Sequence, residues 1–448
     1  MNDAPASPVA AGEAPAPLTH RRVLAIAVPI MLSNATTPLL GAVDTGVIGQ
    51  LGAAAPIGAV GMGAVILSFI YWTMGFLRMG TSGLVAQARG RGDSAECAAL
   101  LLRGMLIAGA SGLIFILLQA PLFWAAFELS PASAEVEDMA RDYLSLRIWG
   151  GPFAISVYAL TGWLIAMERT RGVLILQIAM NGLNIALDLL FVLGFGWGVE
   201  GVAAATLISE VGGAALGLWM CRDAFAGDGW RDPARIFDRV RLINMAKVNG
   251  DILIRSCLLQ FGFGFFLFRS ADWGDVSLAA NQVLMQFLAI SAYALDGFAF
   301  AAEALVGQFF GARRPDLLRR ASRLTSAWGL ACVATLGAGF WLLGGAIIDL
   351  MTTAPEVRAA AREYLPWAAL APVVGLPAFM LDGIFIGATR TRDMRNAMLW
   401  SLALYLAAWA ALVPLFGLHG LWAALMCFFV LRAITLGLRY PALVRAAA

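Results

Sequence analysis

Long apolar runs alternate with short polar breaks along almost the whole chain. A helix needs about 20 apolar residues to cross a bilayer. Twelve runs meet that length: 23–49, 57–83, 99–126, 143–166, 173–195, 201–221, 243–268, 278–308, 324–350, 364–388, 394–416 and 419–438. The longest polar stretch, Arg222 to Lys247, falls between the sixth run and the seventh. The pattern predicts an all-α integral membrane protein whose twelve transmembrane helices form two pseudo-symmetric six-helix bundles. A first lobe is expected over 19–222, a linker over 223–242 and a second lobe over 243–448. Residues 1–18 are rich in Ala and Pro and too polar for a signal-peptide apolar region, so they read as a disordered tail.

The second lobe repeats the first, displaced by 221 positions. Leu160-Thr161-Gly162 returns as Leu381-Asp382-Gly383, Thr170-Arg171 as Thr391-Arg392, and Gln87 and Gly90 as Gln308 and Gly311. After a two-residue deletion, Gly198-x-x-Gly201 returns as Gly417-x-x-Gly420. Such a repeat in an apolar chain marks a secondary transporter built from two halves around a central site. The basic residues give the orientation. Alternate breaks carry 23 Arg and Lys, whereas the opposite ones carry five: Arg141, Arg147, Arg269, Arg358 and Arg362. The positive-inside rule then puts both termini in the cytoplasm, as expected for a multi-pass protein of a bacterial cytoplasmic (inner) membrane. Both halves start on the same side, so the repeats are parallel.

Composition sharpens this picture. The chain is 60% apolar and 13% charged, with mean hydropathy +0.78, against about 45–50% and about 25% in soluble domains. Most of it must face lipid. A net charge of +2 gives no reason to expect nucleic acid. Five cysteines without paired spacing and only two histidines speak against a structural zinc or His-ligated metal site. A membrane enzyme would need an acidic metal motif or a Ser/His/Cys constellation, and neither is apparent.

Ionisable groups inside the runs cost about 2.5–3.5 kcal/mol each and are functional candidates. Asp44 lies on the first run, with Thr37 seven residues earlier on the same face. On the fifth run Asn181, Asn184 and Asp188 are spaced i, i+3 and i+7, which makes one stripe. Thr206 stands just inside the sixth, and Tyr143 begins the fourth. Asp44 is 22 residues beyond Arg22 and Asp188 is 17 beyond Arg171, about 33 and 25 Å along a helix. All of these therefore share the outer part of the first half. A second set lies deeper toward the basic side: Arg78, Asp251, Arg255, Asp296, Glu303 and Asp382. These read as charge pairs tying helices together or as an inner gate, with Asp251 and Arg255 paired at i, i+4. Pro29 and Pro38 are expected to interrupt the first run, and Pro372 and Pro377 the tenth. Phe261, Phe263, Phe265, Phe266, Met285 and Phe287 face lipid, pack the core or line a drug pocket.

Several segments resemble the multidrug and toxic compound extrusion (MATE) transporters, within them the DNA-damage-inducible F (DinF) branch. They are Val43-Asp44-Thr45-Gly46-Val47-Ile48-Gly49-Gln50-Leu51-Gly52, Met79-Gly80-Thr81-Ser82-Gly83, Ala279-Ala280-Asn281-Gln282, the stretch from Leu295-Asp296-Gly297 to Gly307, and Leu381-Asp382-Gly383-Ile384-Phe385. The resemblance implies two six-helix lobes around a V-shaped cavity. It also implies export of organic cations and hydrophobic drugs against an inward flow of H⁺ or Na⁺. Positions matching the family's ion-coupling network are Asp44, Tyr143, Asn184, Asp188 and Thr206. No cofactor is expected beyond the coupling ion, and a bare Na⁺ would be held by Asp44, Asn184, Asp188 and Thr206. The expected partners are small-molecule drugs and the lipid bilayer, the expected state a monomer. A cationic substrate would compete with the ion for this negative site. Two rivals fit less well. A major-facilitator-type exporter would carry a different loop after the second run than Ala88-Arg89-Gly90-Arg91-Gly92-Asp93. A lipid-linked-oligosaccharide flippase would need more cavity cations than Arg78 and Arg255.

Overall fold

The computed structural model describes residues 17–50, 53–129 and 133–448. The predicted N-terminal tail thus lies outside the described residues up to position 16. In the first half α1 is His20–Gly49, α2 Ala54–Trp72, α3 Phe76–Gly90, α4 Ser94–Leu117, α5 Gln119–Leu129, α6 Ala134–Arg147, α7 Gly151–Ala166, α8 Thr170–Asp188 and α9 Gly198–Met220. A short α10, Pro233–Ile236, lies in the linker. The second half holds α11 Arg239–Ser270, α12 Asp275–Gly311, α13 Pro315–Met351, α14 Pro355–Gly387, α15 Thr391–Gly437 and α16 Tyr440–Ala446.

Among the described residues ten helical stretches are long and apolar enough to cross a membrane. One of them contains two crossings, because α15 breaks at Gly417, whose φ of 55° only glycine adopts readily. Counting the 30-residue α1, which carries the first apolar run, makes twelve among the described residues. The helix of the fourth apolar run begins at Ala134 rather than 143, so Tyr143 sits inside α6 and not at a helix start. The prolines do not interrupt: Pro29 and Pro38 lie inside α1, and Pro372 and Pro377 inside α14.

The repeat is written into the helix ends. α2 and α12 start at Ala54 and Asp275, α4 and α13 at Ser94 and Pro315, α6 and α14 at Ala134 and Pro355, α8 and α15 at Thr170 and Thr391. Every start is 221 residues from its mate. The turns match as well. Gly92 and Arg313 are left-handed, with φ of 74° and 53°, and so are Glu168 and Thr389, at 58° and 49°. Each such turn satisfies the final carbonyls of the helix before it, as when Arg169 N–H bonds the Leu164 carbonyl and Arg390 N–H that of Phe385. Three of these residues carry a side chain at a strain of about 1–3 kcal/mol each. The surrounding packing therefore holds them there.

That packing is the joint between the lobes. The first lobe reaches the second through α3, which touches α11, α12 and α14, and α1 adds contacts to α12. The closest backbone approaches, at Gly83, Gly90 and Gly311, lie toward the end that carries the arginine-rich turns. Glycines let the backbones touch. A Cβ on Gly90 would stand 2.0 Å from the Gln308 carbonyl oxygen, and one on Gly311 would stand 2.1 Å from that of Gln87. This reciprocal contact is what a twofold-like axis through the joint requires. Gly311→Val should therefore wedge the lobes apart. Overpacking of this kind costs about 1–3 kcal/mol, so the melting temperature in detergent should drop by about 1–3 degrees. An unchanged melt would mean that the backbones do not meet there.

Hydrogen bonds bind the same end. Arg22 Nη2 donates to Glu168 Oε1 and to Gln308 Oε1, both at 2.6 Å, and Arg89 Nη1 donates to Glu168 Oε1 at 2.8 Å. Across the axis Gln87 Nε2 donates to Thr389 Oγ1 at 2.9 Å and to the Gly387 carbonyl at 3.0 Å. Burial pushes the Glu168 carboxyl up, but the Arg22 hydrogen bond and the Arg89 charge outweigh it and hold it below the usual range. Glu168 is thus anionic at neutral pH and clamps α1, α3 and, through Arg22, α12. The linker is pinned nearby. Buried Arg103 donates to the carbonyls of Ile236 and Arg235 at 2.9 and 2.6 Å, and Glu96 pairs with both Arg103 and Arg241.

Candidate functional site

Four polar side chains meet inside the first lobe. Asp188 closes α8 and is fully buried. Beyond it the chain widens into a π-helical turn, Leu189–Gly194, a local form that often accompanies a functional position. Rings of Phe191, Phe195 and Trp197 stack over this turn, with centroids 4.9 Å apart for Phe191 and Trp197. Asn184, one turn earlier on the same face, points at the same spot. With its amide nitrogen turned to the carboxylates, it donates to Asp188 Oδ2 at 3.0 Å and to Asp44 Oδ1 at 3.2 Å. Its carbonyl then accepts from Thr206 Oγ1 at 3.0 Å and from Thr206 N at 3.3 Å. The Asp44 and Asp188 carboxyls thus share one amide nitrogen. Among the described residues, none hydrogen-bonds the buried Asp188 Oδ1.

The remaining expected members stand around this group rather than in it. Tyr143 is buried with its ring against Gly63. Asn181 ties α8 to α1 by donating to Thr36 Oγ1 at 3.0 Å. The Thr37 side chain lies outside the described residues. Arg147, which the polarity pattern assigned to an outer break, is buried and forks onto Glu210 at 2.7 and 2.9 Å. The cation nearest the two acids therefore already has a counter-ion. Among the described residues no three His, Cys, Asp or Glu converge on one point. An ion held here would rest on two carboxylates, an amide and a hydroxyl.

The deeper charges sort into separate sets. Arg78 of the first lobe faces Glu303 of the second at 3.6 Å and lies 3.8 Å over the Phe300 ring. Asp382 takes two arginines, Arg255 from α11 and Arg432 from α15, the latter at 2.6 Å. Asp251 and Arg255 are not a pair. Asp251 instead accepts from Arg395 at 2.6 Å and from Thr391 at 3.2 Å. Asp296 accepts from Asn34 of α1 at 3.4 Å. Arg432, Glu210 and Glu168 escaped the reading of the sequence, although a lone arginine inside an apolar run is a signal for the first.

Arg78, Arg255, Asp296, Glu303 and Asp382 line one cavity of about 540 Å³ between the lobes. It is walled by α3, α11, α12 and α14 and the turn before α3. Phe263 and Met285 reach it, whereas Phe266 and Phe287 are buried in the second lobe. Its two arginines each face a carboxylate, so they make no free cationic cluster of the kind a pyrophosphate needs.

A family model described as MatE matches residues 29–190 and 252–409, one block in each repeat. DNA damage-inducible protein F of Escherichia coli (strain K12) is 38% identical over 426 residues, which is 92% of this chain and 90% of that protein. The chain belongs to the MATE family, in the DinF branch. Protein DETOXIFICATION 44, chloroplastic, of Arabidopsis thaliana is 26% identical and spans 92% of this MATE chain and 80% of its own length. A solved structure described as the outward-facing conformation of a multidrug resistance MATE family transporter of the MOP superfamily superposes with a TM-score of 0.85. That overlap covers 96% of each chain at 19% identity, a likeness of fold. This MATE protein is accordingly a multi-pass membrane transporter and not an enzyme. Asp44, Asn184 and Asp188 lie within the first matched block, and Asp296, Glu303 and Asp382 within the second.

Proposed function

We propose that this transporter exports organic cations and hydrophobic drugs from the bacterial cytoplasm, driven by H⁺ or Na⁺ entering through the site of Asp44, Asn184, Asp188 and Thr206. The convergence of the Asp44 and Asp188 carboxyls on one Asn184 amide carries this reading. Two carboxylates side by side in a low-dielectric interior repel strongly. A proton between them, or a cation bridging them, relieves that repulsion. Occupancy of the site therefore changes how tightly α1 and α8 are drawn together, which is a means of moving helices. Their titrations belong to the pair rather than to either residue.

The arginine-rich end is the cytoplasmic end in this reading, with both termini there. The lobes are joined at that end, so the cavity faces outward. Inward access needs the joint to part: Arg22 must leave Gln308, Gln87 must leave Thr389, and Arg78 must leave Glu303. One proton falling through about 100 mV supplies roughly 2.3 kcal/mol, and one pH unit adds about 1.4. Together they sustain a substrate gradient of several hundred-fold, at about 1.4 kcal/mol per tenfold. A monomer suffices, because both halves of the joint come from one chain.

Inverted membrane vesicles containing the protein should accumulate ethidium when either a pH gradient or a sodium gradient is imposed, with the other clamped. The effective gradient names the ion. If neither gradient drives ethidium inward beyond vesicles lacking the protein, the antiporter reading is wrong.

A further inference from the structure

A groove of about 730 Å³ runs along the flank of the second lobe, between the two legs into which Gly417 divides α15. Asp393, Asn396, Leu399 and Trp400 line it from the first leg, and Thr435 and Arg439 from the end of the second. Depth again follows from residue number. Counted from Gly417, Asp393 lies 24 residues away, Asn396 21, Trp400 17 and Arg439 22, about 36, 32, 26 and 33 Å along a helix. The hydrocarbon core is about 30 Å thick. With Gly417 at the opposite turn, Asp393, Asn396 and Arg439 stand at headgroup level on the arginine-rich side, and Trp400 just beneath them. Tryptophan is enriched at that level, and Trp400 is 68% exposed there.

The polar groups of the groove are poorly matched within the chain. Among the described residues Arg439 has neither an ion pair nor a hydrogen bond from its guanidinium. Asn396 Oδ1 accepts from Arg395 at 3.2 and 3.0 Å, while its Nδ2 donates to nothing among the described residues. Asp393 meets only Arg390 among the described residues, at 3.4 Å and one turn away. The groove thus offers a carboxylate on one wall and two unused donors beside it. The fold does not require these groups. The 221-residue repeat puts Gly172, Ile175 and Ala179 of the first lobe where Asp393, Asn396 and Trp400 stand in the second. After the two-residue deletion, Leu216 and Met220 take the places of Thr435 and Arg439. The first lobe builds the same pair of helices from apolar residues at every one of these positions.

We infer that the groove seats one phospholipid with a primary-amine headgroup, a phosphatidylethanolamine, from the leaflet at the arginine-rich end. Its ammonium is held by Asp393 and its phosphate by Arg439 and the Asn396 amide. Its acyl chains run down past Leu399, Trp400 and Leu438. Basic pockets between transmembrane helices are suited to phosphate headgroups, and here the acid selects among them. An anionic headgroup would satisfy Arg439 and be repelled by Asp393. A trimethylated amine has no N–H for the carboxylate to accept. The volume is in the range that holds one small molecule. Occupancy reaches the joint through short links: Arg395, bonded to Asn396, also bonds Asp251 of α11 at 2.6 Å, and α11 touches α3 of the first lobe. The seat needs only that this end of the chain lies at a bilayer surface, so it stands or falls apart from the exporter reading.

The test is native mass spectrometry of the purified full chain, stripped of lipid in detergent and titrated with dioleoyl phosphatidylethanolamine, phosphatidylcholine or phosphatidylglycerol. The first phosphatidylethanolamine should bind about tenfold more tightly than either competitor, the worth of one charge-assisted hydrogen bond. Asp393→Asn should erase that preference and leave phosphatidylcholine binding unchanged. Arg439→Gln should weaken all three lipids, by about tenfold on the same grounds, whereas Arg439→Lys should keep the preference. Ala403→Trp, which fills the groove and leaves its charges in place, should lose phosphatidylethanolamine as well. Equal binding of phosphatidylethanolamine and phosphatidylcholine by the parent would overturn the headgroup assignment. So would a preference for phosphatidylglycerol, which would make this an anionic-lipid site. If the parent prefers phosphatidylethanolamine but Asp393→Asn and Arg439→Gln both bind it like the parent, the lipid sits elsewhere and the proposal falls.

Discussion

Asp44→Asn should abolish gradient-driven efflux and leave a folded protein. Asparagine has nearly the shape of aspartate and keeps one oxygen for the Asn184 amide, 3.2 Å away in the parent. It cannot exchange a proton, and it contributes no charge to a bound Na⁺. The repulsion between Asp44 and Asp188 disappears with it, so the melting temperature should hold or rise. The steady-state ethidium ratio across proteoliposomes should fall from several hundred-fold to about one, the full yield of a driving force near 3.7 kcal/mol. Asp188→Asn should do the same, and the double variant should be no worse than either single one, because groups that act as a unit are not additive. Undiminished accumulation by Asp44→Asn would remove the ion site from the first lobe.

Asp382→Ala should damage the fold rather than the coupling. Asp382 is 5% exposed and holds Arg255 and Arg432, which are 6% and 1% exposed. Removing it leaves two guanidinium groups facing each other in the interior, at a cost of about 3–5 kcal/mol. Expression should drop, and the detergent melt should shift down by about 3–5 degrees at that cost. Replacing the whole triad with apolar residues, as Asp382→Leu with Arg255→Met and Arg432→Met, should recover most of the loss, since buried ion groups are often no more stabilising than apolar ones of similar volume. If Asp382→Ala melts like the parent, the triad is hydrated from the cavity and the buried-charge account is wrong.

The two charge sets show where sequence reasoning reaches and where it stops. Asp44, Asn184, Asp188 and Thr206 could be brought together by counting residues from the nearest arginine. A helix rises by a constant 1.5 Å per residue, so depth follows from number. The i, i+4 spacing of Asn184 and Asp188 added the shared face. Tyr143 was placed at the same height, and its ring packs against Gly63 of α2. Asp251 and Arg255 could have bonded each other by spacing, yet each found a stronger partner on another helix, Arg395 and Asp382. Arg147 looked like a headgroup-facing residue because its neighbours are polar, and Glu210, 63 positions away, drew it inside.

Twelve crossings, two parallel repeats and the depth of each acid follow from the order of residues alone, because hydrophobic length, periodicity and rise are properties of one dimension. The folded arrangement chose the partners: which arginine meets which carboxylate, which acid is left without one, and at which end the lobes touch. Those choices depend on how each helix is rotated and on what its neighbour presents. In a medium of low dielectric constant the nearest opposite charge prevails, however distant it is along the chain.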